Sequence, residues 1–167
     1  MTNSDPWVPL ALDETVLLFA GAPFRWWISG GIALELSTGQ SWRAHEDLDV
    51  GVIRTEAPLA HHWLRRWDLH IASAGRLAPW DGRPLLAERH ENNVWARRGS
   101  TAPWSLDITV GDGDEDCWAY RRDPTVWLPW SEAVRRSRSG IPYLAPHLQL
   151  LFKSKDARPK DRLDAER

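Results

Sequence analysis

Cysteine, lysine and long apolar runs are scarce in this sequence. Cys117 is the only cysteine among 167 residues. That excludes an internal disulfide and a multi-cysteine metal knot, and it fits a reducing cytoplasm. No apolar stretch approaches the ~20 residues of a membrane span. The opening Met1-Thr2-Asn3-Ser4-Asp5-Pro6-Trp7 lacks the basic flank and apolar run of a signal peptide. A cytoplasmic protein without membrane attachment is therefore expected. The net charge of −2 supplies no whole-molecule attraction to a polyanion, which disfavours nucleic acid as a bulk partner. Lysine occurs only at Lys153, Lys155 and Lys160, so nearly every basic residue is arginine. Oligomeric state is not legible.

What is present is an ordinary globular balance, 43% hydrophobic and 26% charged, with 12 tryptophans. The length suits one domain with a real core, taken as residues 1–167 with 140–167 as a C-terminal helical segment. Helices are expected over 13–20, from 32 to the break at Gly39, over 58–67, over 130–136 and over 146–156. Strands are expected over 24–28, 47–53, 69–72, 75–80, 93–97, 104–110 and 117–121. Several strands follow one another without helices between them. The pattern predicts an α+β fold, a mixed or antiparallel sheet with helices mainly on one face.

The richest stretch is Glu46-Asp47-Leu48-Asp49-Val50-Gly51-Val52-Ile53. Strand side chains alternate faces. Asp47 and Asp49 then point one way, while Leu48, Val50 and Val52 point into a core. Two carboxylates fixed side by side repel each other until a cation lies between them, and hard oxygen ligands suit Mg²⁺. Asp107, flanked by Leu106 and Ile108, repeats the pattern of an acid on a half-buried strand. If its strand neighbours 47–53, three carboxylates converge. Two Mg²⁺ ions held this way stabilise the entering and leaving oxygens of an in-line displacement. Asp107 either completes the second metal site or accepts the proton of an attacking hydroxyl. Glu88 and Glu91 are rival third acids in a stretch that reads as loop.

Ser29-Gly30-Gly31 precedes a helix. Bare glycines let backbone N–H groups approach phosphate oxygens, the helix offers its positive end, and Ser29 adds a hydroxyl. Arg43 and His45 either touch phosphates or orient a metal ligand, or they form a polar loop tethered to Asp47 before the acidic strand. Lys153 and Lys155 are candidate phosphate contacts, and Lys155 follows the stripe Leu148, Leu151, Phe152 inward. Trp95, Trp104 and Trp118 are the tryptophans nearest the acids in sequence. The acidic run Asp112, Asp114, Glu115, Asp116 either attracts a cationic acceptor or is a solvated loop.

With these motifs in view, residues 26–53 resemble the aminoglycoside nucleotidyltransferase family of the polymerase-β-like nucleotidyltransferase superfamily. The likeness lies in Trp26-Trp27-Ile28-Ser29-Gly30-Gly31, Gly39, Arg43, His45 and Asp47-Leu48-Asp49-Val50, and again in 140–161. The chain departs from that pattern at Ile32, where an aromatic is common, at Glu35 (Asp) and at Gln40 (Arg). The resemblance implies a nucleotidyltransferase sheet, ATP or another nucleoside triphosphate, Mg²⁺, and AMP transfer to a hydroxyl of a small polar acceptor such as an aminoglycoside. It makes Gly30 and Gly31 the phosphate loop, Asp47 and Asp49 the metal ligands, and Asp107 the third acid. The rival expectations are a transferase acting on protein or tRNA and a non-catalytic nucleotide- or sugar-binding module.

Overall fold

A computed structural model describes residues 5–154. Its elements are α1 (Leu12–Phe19), β1 (Trp26–Ile28), α2 (Gly30–Thr38), β2 (Asp49–Ile53), α3 (Ala57–Trp63), β3 (Asp68–Ser73), β4 (Arg76–Pro79), β5 (Asn93–Arg97), β6 (Leu106–Gly113), β7 (Cys117–Ala119), β8 (Trp127–Pro129), α4 (Trp130–Ala133), β9 (Val134–Arg136), β10 (Pro142–Leu144) and α5 (Pro146–Lys153). Among the described residues no helix is long and apolar enough to cross a membrane.

The strands form one mixed sheet in the order β4-β3-β5-β6-β2-β1-β10-β9, with β7 and β8 continuing from the far end of β6. The pairs β2–β6 and β1–β10 are parallel; the other pairs are antiparallel. The predicted α+β class is the observed one.

Alternation along the strands divides the sheet into two faces. Ile28, Val50, Val52, Leu106, Ile108, Val110, Val94 and Ala96 point to the larger core, where they meet Phe19, Ala33, Ala57, Ala60 and Leu64 from α1, α2 and α3. The opposite face carries Asp49 and Gly51 on β2 and Asp107 and Thr109 on β6. At one end it is covered by a smaller cluster of Trp27, Ile53, Trp118, Trp130, Leu144 and Leu148, to which α4 and α5 contribute. Burying one face completely is what leaves the other free to hold polar groups.

Among the differences from expectation, two concern the site and the segment that flanks it. The acidic strand begins at Asp49, not Asp47. The helix expected over 130–136 is a single turn ending at Ala133. Val134 adopts extended dihedrals, and Val134–Arg136 pairs with β10 as a hairpin across a turn in which Gly140 takes a φ of 82°. A β-branched residue followed by a glycine-containing turn favours that hairpin over more helix. Of the segment 140–167, β10 and α5 are described; residues 155–167 lie outside the described residues.

Candidate active site

The parallel pairing of β2 with β6 sets Asp49 directly beside Asp107. Neighbouring strands lie ~4.8 Å apart, so two in-register acids on one face are close neighbours. On its other side Asp107 is paired with Trp95 of β5, and Asn93 is paired with Thr109. Asn93 Nδ2 donates to Asp107 Oδ1 at 2.9 Å. Burial pushes the Asp107 carboxyl up; hydrogen bonds from Asn93 and Trp95 oppose the rise, and the charge of Asp47 adds to it. The result is a pKa of about 6, against an ordinary 3.8. Asp47 itself is exposed, just before the strand. The structure thus sets Asp107 next to Asp49 and within the field of Asp47.

These carboxylates are hard oxygen donors. Among the described residues, however, no three His, Cys, Asp or Glu side chains enclose an ion by themselves. The expected convergence of Asp47, Asp49 and Asp107 into one three-carboxylate cluster is therefore not formed: Asp49 and Asp107 are paired across β2 and β6, while Asp47 lies exposed before the strand. A Mg²⁺ ion needs only one or two carboxylates beside substrate phosphates and water.

Gly30 shows why glycine is needed here. Its φ is +71°, and a Cβ on it would overlap the carboxylate of Asp49. The start of α2 therefore rests on Asp49, where the helix's positive end favours a negative charge. The Gly30 N–H is not open, since it donates to Gln149 Oε1 of α5 at 2.9 Å. Gly31 also serves packing. A Cβ there would strike Arg43 and His45, so its bareness makes room for the loop. Arg43 Nη1 donates to the Ala44 carbonyl at 3.2 Å, and Arg43 does not line the cavity beside Asp49. Glu35 anchors this loop. Its Oε1 accepts from the backbone N–H groups of Trp42 (3.0 Å) and Arg43 (3.3 Å) and lies 3.0 Å from His45 Nε2. Burial alone would raise the Glu35 pKa, but the hydrogen bonds from Trp42, His45 and Ser41 outweigh it and hold the carboxyl low. Glu35 is thus a loop-holding acid.

Two cavities flank the acids. One, of about 180 Å³, lies against Ser29, Gly30, Asp49, Thr109, Trp118 and Arg121. Trp27 forms part of its wall and lies flat where Gly51 and Gly111 have no side chains; a Cβ at either would meet the indole. The other is lined by Asp107, Asn93, Trp95 and the β3–β4 hairpin around Gly75. Asn93 belongs to both.

Several other candidates are engaged away from the paired acids. Glu91 is buried and paired with Arg83 Nη2 at 2.7 Å and with the Leu86 N–H at 2.8 Å. Its carboxyl is held at about 2, chiefly by the Arg83 hydrogen bond. Glu88 is exposed. Trp104 packs with Trp95 and His70 beneath Arg97. In the acidic run, Asp112 accepts from Arg54 Nε at 2.6 Å, and Asp114 caps its own turn by accepting from the N–H groups of Asp116 and Cys117. Lys153 ends α5 and does not line the cavity beside Asp49; Lys155 lies outside the described residues. Sequence reasoning missed Trp27, Asn93, Arg121 and Gln149. Only the glycines at 51 and 111, each inside an apolar strand, signalled that something large lies across the sheet.

Residues 12–71 match the family described as aminoglycoside-2''-adenylyltransferase. No curated protein sequence matches the chain. Among solved structures, the lincosamide antibiotic adenylyltransferase LnuA with lincomycin bound superposes with a TM-score of 0.61 at 18% identity, covering 93% of this chain and 92% of that one. ANT(2'')-Ia in complex with adenylyl-2''-tobramycin gives 0.56 at 12% identity, covering 89% of this chain and 76% of that one. At such identities the superpositions establish the fold.

Proposed function

We propose that this chain is an aminoglycoside nucleotidyltransferase-like enzyme that transfers AMP from ATP to a hydroxyl of a small polar acceptor of the antibiotic kind, a reading supported by the family match over residues 12–71 and by the shared fold. The observation that carries the proposal is the in-register pair Asp49–Asp107 with a cavity on either side. The nucleotide occupies the side of Asp49, Gly30 and Trp27. The acceptor occupies the side of Asp107 and Trp95, where a flat ring suits the face of a sugar.

The acceptor hydroxyl attacks the α-phosphorus, pyrophosphate leaves, and Asp107 takes the hydroxyl proton. A carboxyl near 6 is a better base than an ordinary aspartate and is still ionised at neutral pH. Asn93 fixes its orientation. Asp47 and Asp49 would hold Mg²⁺, with Asp107 adjoining a second ion; the metal's chemistry is neutralisation of phosphate charge. The missing side chain at Gly30 leaves room for the Asp49 carboxylate on the nucleotide side.

Acceptor chemistry follows the relatives. LnuA acts on a lincosamide and ANT(2'')-Ia carries an adenylylated tobramycin; both ligands are small and hydroxyl-bearing. The test is pyrophosphate release from ATP, GTP, CTP and UTP across a panel of aminoglycosides and lincosamides with Mg²⁺ present. Release with ATP that requires one of these acceptors supports the proposal. Release that requires protein or tRNA instead overturns the acceptor class.

A further inference from the structure

Three arginines meet beyond the far end of the nucleotide cavity: Arg54 after β2, and Arg121 and Arg122 after β7. Together with His90, Asn92 and Asp112 they line a cleft that adjoins this cavity, and Arg121 and Arg122 line both. Two of the three are engaged. Arg54 donates to Asp112 Oδ1 (2.6 Å), the Glu91 carbonyl (3.0 Å) and Asn92 Oδ1 (2.8 Å). Arg122 donates to the Tyr120 hydroxyl (3.3 Å) and the Phe152 carbonyl (3.2 Å). Arg121 makes no hydrogen bond or ion pair with the described residues. Its guanidinium lies over the Phe152 ring at 5.4 Å, and the nearest acid, Asp112, is already held by Arg54. Burial pushes the Arg121 pKa down, and the charge of Arg122 pushes the same way. A half-buried cation among like charges, with five donors unspent, is costly unless an anion joins it.

We infer that Arg121 binds the β- and γ-phosphates of the nucleotide, and hence the departing pyrophosphate, at the end of the cavity opposite Asp49. The inference rests on the nucleotidyl-transfer reading above. The cavity is lined by Asp49, Thr109, Gly111 and Arg121, and Thr109 and Gly111 step along β6 away from the Asp49–Asp107 pair. With the reacting α-phosphate beside Asp49, the polyanionic remainder lies toward the arginines, where a planar guanidinium can grip two phosphate oxygens at once. Negative charge grows on those oxygens as pyrophosphate departs, so the same contact strengthens in the transition state.

The test compares wild type with Arg121→Met and Arg121→Lys, each checked by thermal melting. Mg²⁺ is present, and binding of ATP, AMP and inorganic pyrophosphate is measured by calorimetry. For Arg121→Met we expect ATP and pyrophosphate to bind 10- to 100-fold more weakly while AMP binding changes less than 3-fold; Arg121→Lys falls between. The ligand-free Arg121→Met protein should melt at or above the wild-type temperature, because a half-buried cation without a hydrogen bond to the described residues has gone. Equal weakening of ATP and AMP, or unchanged ATP and pyrophosphate binding, overturns the inference and leaves nucleotidyl transfer standing. A lowered melting temperature in both variants shows a structural arginine and also overturns it. Failure of the wild type to bind any nucleoside triphosphate overturns both readings.

Discussion

Replacing Asp107 by asparagine should remove activity and at the same time stabilise the protein, by an amount that depends on pH. In the folded protein this carboxyl has a pKa of about 6, while its ordinary value is 3.8. A group whose folded pKa is raised contributes stability that is fully present below the unfolded pKa and is lost as pH rises through the folded one. The wild type therefore gives up stability between about pH 4 and pH 6.5 as Asp107 ionises beside Asp47 in a desolvated setting. The loss amounts to about 3 kcal/mol at pH 7, taking ~1.4 kcal/mol per pH unit of displacement. The asparagine amide has no acidic proton to lose and keeps the size of the side chain. The Asp107→Asn variant should match wild type near pH 4 within ~1 kcal/mol and exceed it by up to about 3 kcal/mol at pH 7, which for a chain of this length is a melting temperature roughly 6–12 °C higher. The assay is urea denaturation of both proteins from pH 4 to pH 8. Saturating Mg²⁺ should narrow the gap, because the cation favours the ionised carboxylate in the wild type. A stability difference that stays flat with pH refutes the reasoning, since it would mean that Asp107 is not a desolvated carboxyl under charge repulsion.

Asp49→Asn should abolish turnover at saturating Mg²⁺ with the thermal melt within a few degrees of wild type; wild-type turnover would remove Asp49 from the site. Gly51→Ala should cost ~1–3 kcal/mol and weaken nucleotide binding, because the new methyl drives the Trp27 indole into the cavity; unfolding midpoints and ATP titration read the two effects. Gly30→Ala should impair activity more than stability, as it both strains a φ of +71° and displaces the Asp49 carboxylate; Mg²⁺-dependent pyrophosphate release checks it. Glu91→Gln should cost ~2 kcal/mol at pH 7, and the penalty should fade as pH falls from 4.5 through about 2, where the wild-type carboxyl also takes up its proton; a penalty that persists at pH 2 contradicts the pairing with Arg83.

The strand alternation around Asp47–Ile53 and Leu106–Val110 was legible because an acid on one face must be matched by apolar residues on the other, and Leu48, Val50, Val52, Leu106 and Ile108 are all buried. The start of α2 and its stop at Gly39, with a φ of 71°, were likewise local. Register was not. Nothing between residues 53 and 107 states that β2 and β6 run parallel as neighbours, yet that pairing is what sets Asp49 beside Asp107. The β9–β10 hairpin was hidden because Trp130–Arg136 has an apolar pattern that serves a short helical turn as well as an edge strand. Asn93 and Arg121 were missed for one reason: a single polar residue on a strand acquires meaning only from what lies across the sheet. Gly31 has a packing role that the sequence did not announce: its missing side chain accommodates Arg43 and His45.

The most direct test of the account is a crystal structure of the protein with Mn²⁺ and a non-hydrolysable ATP analogue, read by anomalous scattering. Anomalous density bounded by Asp47, Asp49 and the α-phosphate, with Asp107 facing it, is the predicted result. Metal and nucleotide bound elsewhere, with the Asp49–Asp107 face empty, would contradict it.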